Sequence, residues 1–161
     1  MNSPARFVVL AVLWLCAATA GPEWGQPPDL TCTIWASESD QFPNLIGNGT
    51  SLSYGGGAPK IWFGIRMDNK GQGKVDKTFR VNILIKNNGA TLFNKGYDVP
   101  APLDPGKWKF RPLDPERIVI NLPAVTNKID AIGDVDPLPA IAESNESNNQ
   151  CTLHFTVTVA G

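Results

Sequence analysis

The chain has 161 residues, a length that a single domain accommodates. Its formal net charge is −1 with 18% charged residues, which gives no basic field for nucleic acid and no polybasic patch for a membrane surface. Its 14 prolines and 15 glycines sit in a chain that is still 42% hydrophobic, too apolar for disorder, so they point to short strands joined by many turns.

Arg6 precedes an apolar run from Phe7 to Ala18, and Ala18-Thr19-Ala20 supplies the small-x-small pattern that a signal peptidase reads before Gly21. Residues 1–20 therefore read as a signal peptide. The run is about a dozen residues, short of the ~20 that a spanning helix needs, and no later stretch is long and apolar enough, so no transmembrane segment is expected. Lipidation of Cys16 would need a small residue before it, and Leu15 stands there. The expected location is secreted, periplasmic or cell-surface.

Residues 21–28 (GPEWGQPP) cannot continue a strand or helix and read as a flexible arm, so the domain spans residues 29–161. From Asp29 onward, apolar residues recur with a period of two. They fall at Leu30, Cys32 and Ile34, then at Ile61, Phe63, Ile65 and Met67, then at Phe79, Val81, Ile83 and Ile85. Ile118, Ile120 and Leu122 follow, then Ile129, Ala131, Gly133 and Val135, and last Cys151, Leu153, Phe155, Val157 and Val159. Residues 97–99 and 108–110 are weaker candidates in a proline-rich region. Half-buried strands of this kind predict an all-β sandwich of about seven antiparallel strands.

Two cysteines remain after the leader, Cys32 and Cys151, each on the apolar phase of a terminal strand. Both point into the core, and an oxidising compartment allows a bridge between them; two lone thiols are the alternative. Residues 37–59 contain no clear strand, and a connection that long is usually functional or disordered.

Three segments carry a family resemblance. They are Pro28-Asp29-Leu30 before the first strand, Asn69-Lys70-Gly71 after the second, and Glu143-Ser144-Asn145-Glu146-Ser147-Asn148-Asn149 before the last. On these motifs the chain resembles CARDB domains, the cell-adhesion-related domains found in bacteria, over roughly residues 28–159. The resemblance implies an immunoglobulin-like or fibronectin III-like β-sandwich module of secreted and surface proteins, and a bacterial source. The long 37–59 segment and the proline-rich sequence at 98–115 depart from the family pattern. The sequons Asn48-Gly49-Thr50 and Asn145-Glu146-Ser147 would be glycosylation acceptors in a eukaryotic secretory pathway and are accidental in a bacterium.

Catalytic chemistry finds little footing. His154 is the only histidine and falls on the polar phase of the last strand, with no nucleophile beside it. No catalytic residue is assigned, and no cofactor is expected. Asp134, Asp136 and Glu143 could offer oxygen ligands to calcium, but without EF-hand spacing; the competing reading is that Glu143 to Asn149 form a tight corner held by side-chain bonds to the backbone.

Binding chemistry rests on the aromatics. Trp35 and Trp62 fall on the outward phase of their strands, and Tyr54 lies in the long connection, so all three are candidate contacts. Alternatively, residues 37–59 fold back over the two indoles, with Phe42, Leu45, Ile46, Leu52 and Tyr54 completing a satellite core. The pattern does not place Trp108. The expected function is a non-catalytic binding or adhesion module for a protein or polysaccharide. The alternative is an accessory or inhibitor-like protein whose 37–59 loop enters a partner's cleft.

Overall fold

A computed structural model describes residues 25–41, 44–111 and 117–161. The expected signal peptide at 1–20, the first half of the expected arm and Phe42 lie outside the described residues. Nine strands form among the described residues: β1 (Leu30–Ser37), β2 (Ser51–Tyr54), β3 (Lys60–Asn69), β4 (Phe79–Asn87), β5 (Ala90–Val99), β6 (Trp108–Arg111), β7 (Ile118–Asn121), β8 (Thr126–Val135) and β9 (Gln150–Val159).

They build two sheets. In the first, β1 lines one edge of β3, while β6 and β7 follow one another along its other edge, all antiparallel. The second runs β2-β9-β8-β4-β5. The apolar phases read from the sequence face inward throughout. Leu30, Ile61, Ile65, Val81, Ile83, Ala131 and Val157 are fully buried, and Phe63 of the first sheet stacks on Phe155 of the second at 6.1 Å. This is an immunoglobulin-like β-sandwich.

The strand count and the long connection differ from expectation. Residues 37–59 contain β2, which pairs parallel with β9 from Ser51 opposite Thr156 to Tyr54 opposite Val159. Its four residues, Ser-Leu-Ser-Tyr, give too short an alternation to stand out, and the backbone ladder with β9 supplies what the side chains do not signal.

Cys32 and Cys151 form a disulfide that joins β1 of one sheet to β9 of the other across 119 positions. Gly133, opposite Cys151 on β8, makes room for it. A Cβ there would lie 2.4 Å from Ile65 Cδ1 and 2.8 Å from Cys151 Sγ, so the bridge needs glycine beside it.

The three motif segments meet at one corner. Asn69 is fully buried, and its amide is saturated: Oδ1 accepts from the backbone N–H groups of Asp29 and Gly71, while Nδ2 donates to the carbonyls of Gly73 and Leu103. Glu143 accepts the N–H of Leu30 and, at 3.0 Å, the amide of Asn149; Asn148 donates to Asp29 at 2.9 Å. Ser144 donates its backbone N–H to the Pro28 carbonyl, and Gly73 donates to Pro27. The last residues of the proposed arm are thus bound in place: a Cβ on Gly73 would fall 1.9 Å from Gln26 O.

At the β6 margin, Lys109 and Arg111 sit opposite inward-facing Met67 and Ile65. Lys109 donates to the carbonyl of Pro100, just after β5, and Arg111 to that of Asp98 within it. Burial and the neighbouring Arg111 cation lower the Lys109 pKa, with Asp104 opposing them.

Candidate binding face

The outward phase of β3 is Lys60, Trp62, Gly64, Arg66 and Asp68, and the flanking strands bring more aromatic surface to it. Trp35 of β1 stands opposite Gly64, Phe110 of β6 opposite Arg66, and Trp108 opposite Asp68. Phe110 leans over Gly64: a Cβ at that glycine would lie 2.0 Å from Phe110 Cζ. This lets the ring reach Trp35 across β3, with centroids 5.2 Å apart. Glycine in mid-strand here marks a close approach by a neighbouring ring.

Arg66 ties the far end of the face together. Its guanidinium lies 5.0 Å from the Trp108 ring, and its Nε donates to Asp68 at 2.9 Å. Lys70 approaches the same carboxylate at 3.5 Å. At the opposite end, Asp40 in the loop after β1 pairs with Arg117, just before β7, at 2.7 Å. That ion pair links the two flanks of β3. Trp35, Trp62 and Phe110 are half-buried in this setting, while Trp108 keeps 55% of its surface exposed.

Both expected indoles, Trp35 and Trp62, therefore lie on one outward face, and Tyr54 does not join them. Tyr54 belongs to the second sheet, packs against the core beside Val159, and donates its hydroxyl to Glu38. Burial, reinforced by Glu38, raises its pKa. Ile46 is buried in the main core and Leu52 packs against it, so these loop residues do not build a separate satellite cluster. Sequence reasoning missed Trp108, Phe110, Arg66 and Gly64. The aromatic alternation Trp108-Lys109-Phe110 was visible, but the pairing of β6 with β3 was not.

The calcium candidates are separated by their partners. Asp136 is buried and accepts the backbone N–H groups of Ala140 and Ile141 at 2.8–3.1 Å. Glu143 is engaged by Leu30 and Asn149. Burial pushes its carboxyl up to about 7, the bonds from Leu30 and Asn149 pull it down, and the Glu146 and Asp136 charges raise it. Asp134 stands opposite Gln150 on β8, its pKa raised by desolvation. Among the described residues, no three His, Cys, Asp or Glu side chains gather where they could hold a metal ion. His154 faces outward on β9, with its Nδ1 2.7 Å from Asp130.

No family model matches the chain, and no curated protein does. Among solved structures, it is similar to the CARDB domain of a Pyrococcus furiosus protein, crystallised in complex with di-metal ions. The identity is 22% over 83% of this chain and 96% of that one, with a TM-score of 0.49. The solution structure of the same domain gives 20% identity over 83% and 98%, with a TM-score of 0.48. A domain of a putative cell surface protein from Methanosarcina acetivorans gives 19% identity over 80% and 90%, with a TM-score of 0.41. The first two are CARDB domains, the family that the three sequence motifs resemble.

Proposed function

We propose that this chain is an exported, non-catalytic binding domain that takes a polysaccharide along the outward face of its first sheet. The observation that carries the reading is the gathering of Trp35, Trp62, Trp108 and Phe110 on that face, with Phe110 seated over Gly64. Flat rings complement the C–H faces of sugar rings, and they cost little conformational entropy to present. Thr31, Thr33, Arg66 and Asn121 share the face and supply hydrogen bonds to hydroxyls.

The test is retention on a panel of insoluble and gel-embedded polysaccharides, with Trp108→Ala and Trp62→Ala as variants. Retention by at least one polysaccharide that drops about tenfold or more in Trp108→Ala supports the reading. Retention unchanged in both variants, or absent across the panel while a protein partner is captured through the same tryptophans, overturns it.

Insertion of residues 37–59 into a partner's cleft has less support. Ile46 and Gly49 donate backbone bonds to Ala36 and His154, and β2 is laddered to β9. A segment tied at so many points along the body offers little length to project.

A further inference from the structure

The second sheet carries a shallow cleft that the aromatic face does not use. It lies on the outward side of β8 and β9, has a volume of about 220 Å³, and sets the polar groups of Thr50, Lys128, Asp130, His154 and Thr156 beside Ile129 and Phe155. The Asn48–Thr50 segment forms one wall and is fixed there: Asn48 Oδ1 accepts the backbone N–H of His154 at 2.8 Å, and Gly49 donates to the His154 carbonyl at 2.7 Å. Asp130 and His154 face each other in register across the two strands, and Lys86 of β4 stands opposite Asp130 on its other side.

From this we infer that the cleft binds a small oxyanion: a sulfate, phosphate or carboxylate group. Its polar groups are mostly donors. Lys128 brings an ammonium that has no ion-pair partner among the described residues, and Thr50 and Thr156 bring hydroxyls. His154 has Nδ1 engaged by Asp130, which leaves Nε2 for a ligand. The one carboxylate, Asp130, is already held by the imidazole. With Asp130 paired to the imidazole, the Lys128 ammonium is the charge left in the cleft to attract an anion, and Lys86 adds to it from outside the lining, opposite Asp130 on β4.

The experiment is an NMR titration of the isotope-labelled protein with sodium sulfate against sodium chloride, at fixed pH and matched ionic strength. Saturable sulfate-specific shifts at Thr50, Lys128, His154 and Thr156 support the site. Lys128→Gln, an exposed position whose loss leaves the fold intact, weakens binding about tenfold, the worth of one charge-assisted hydrogen bond. Asp130→Asn, which removes the one carboxylate of the lining, strengthens it, while Trp108→Ala leaves it unchanged. Shifts that chloride reproduces, that never saturate, or that persist at full strength in Lys128→Gln overturn the inference.

Discussion

Glu143 and Leu30 lie 113 positions apart, and the carboxylate of the first accepts the backbone N–H of the second. An edge-strand terminus that would otherwise need water is thereby closed by a side chain from the β8–β9 connection, which also receives the Asn149 amide. The corner is held by an acid whose ionised form is partly desolvated.

Stability should therefore depend on pH in a definite sense. The Glu143 pKa is raised to about 7 in the folded chain from the ordinary glutamate value of 4.5, so between those values the folded state holds the proton that the unfolded state releases. Stability is fullest below about 4.5, declines as pH rises toward 7, and then levels off. Asp134, also raised, adds a slope of the same sign. Urea midpoints measured across that range in the parent and in Glu143→Gln check this: the variant's slope should be shallower. Asn149 Oδ1, buried without a partner, can rotate to accept from the introduced amide. An equal slope in both proteins would falsify the assignment to Glu143.

The disulfide closes nearly the whole domain. Replacing Cys32 and Cys151 together by alanine should cost about 2–5 kcal/mol in denaturant unfolding. The oxidised parent should show no free thiol from this pair under denaturing, non-reducing conditions, and two titratable thiols would remove the bridge from the account.

Gly64→Ala tests the seat of Phe110. The added Cβ must displace a ring whose Cζ would be 2.0 Å away, so the expected cost is about 1–3 kcal/mol. Polysaccharide retention should weaken in the same variant, because the Trp35–Phe110 contact depends on that ring position. A neutral substitution in both assays would mean that Phe110 does not rest there in solution.

Asn69→Ala leaves two backbone donors and two carbonyls at the corner without their amide partner. A loss of about 2–4 kcal/mol is expected by thermal or urea unfolding. Asn69→Asp should recover part of it, since the carboxylate still accepts from Asp29 and Gly71.

The core was legible because each inward position alternates with an outward one, from Ile61 to Met67 on β3 and from Leu153 to Val159 on β9, and period two encodes facing directly. The outward placement of Trp35 and Trp62 followed from the same rule. What escaped was long-range. β2 is specified by backbone pairing with β9, which four residues of weak alternation do not announce. Phe110 belongs to the aromatic face only because β6 lies beside β3 and Gly64 leaves a hollow. The motifs at Asp29, Asn69 and Glu143 could be recognised singly, but their mutual hydrogen bonds exist only once the chain has closed on itself.

The cations of β6 that stand opposite Met67 and Ile65 bear on how the sheet edge meets other chains. An open strand margin invites a neighbouring chain to pair with it, and buried-side charges discourage such growth. By spending their donors on the carbonyls of Asp98 and Pro100, Lys109 and Arg111 occupy the seam where the two sheets part. A second molecule stacking edge-on would have to strip both cations from those carbonyls and leave them facing apolar neighbours. Extension of the sheet through that side is therefore disfavoured by the bonds it would have to break.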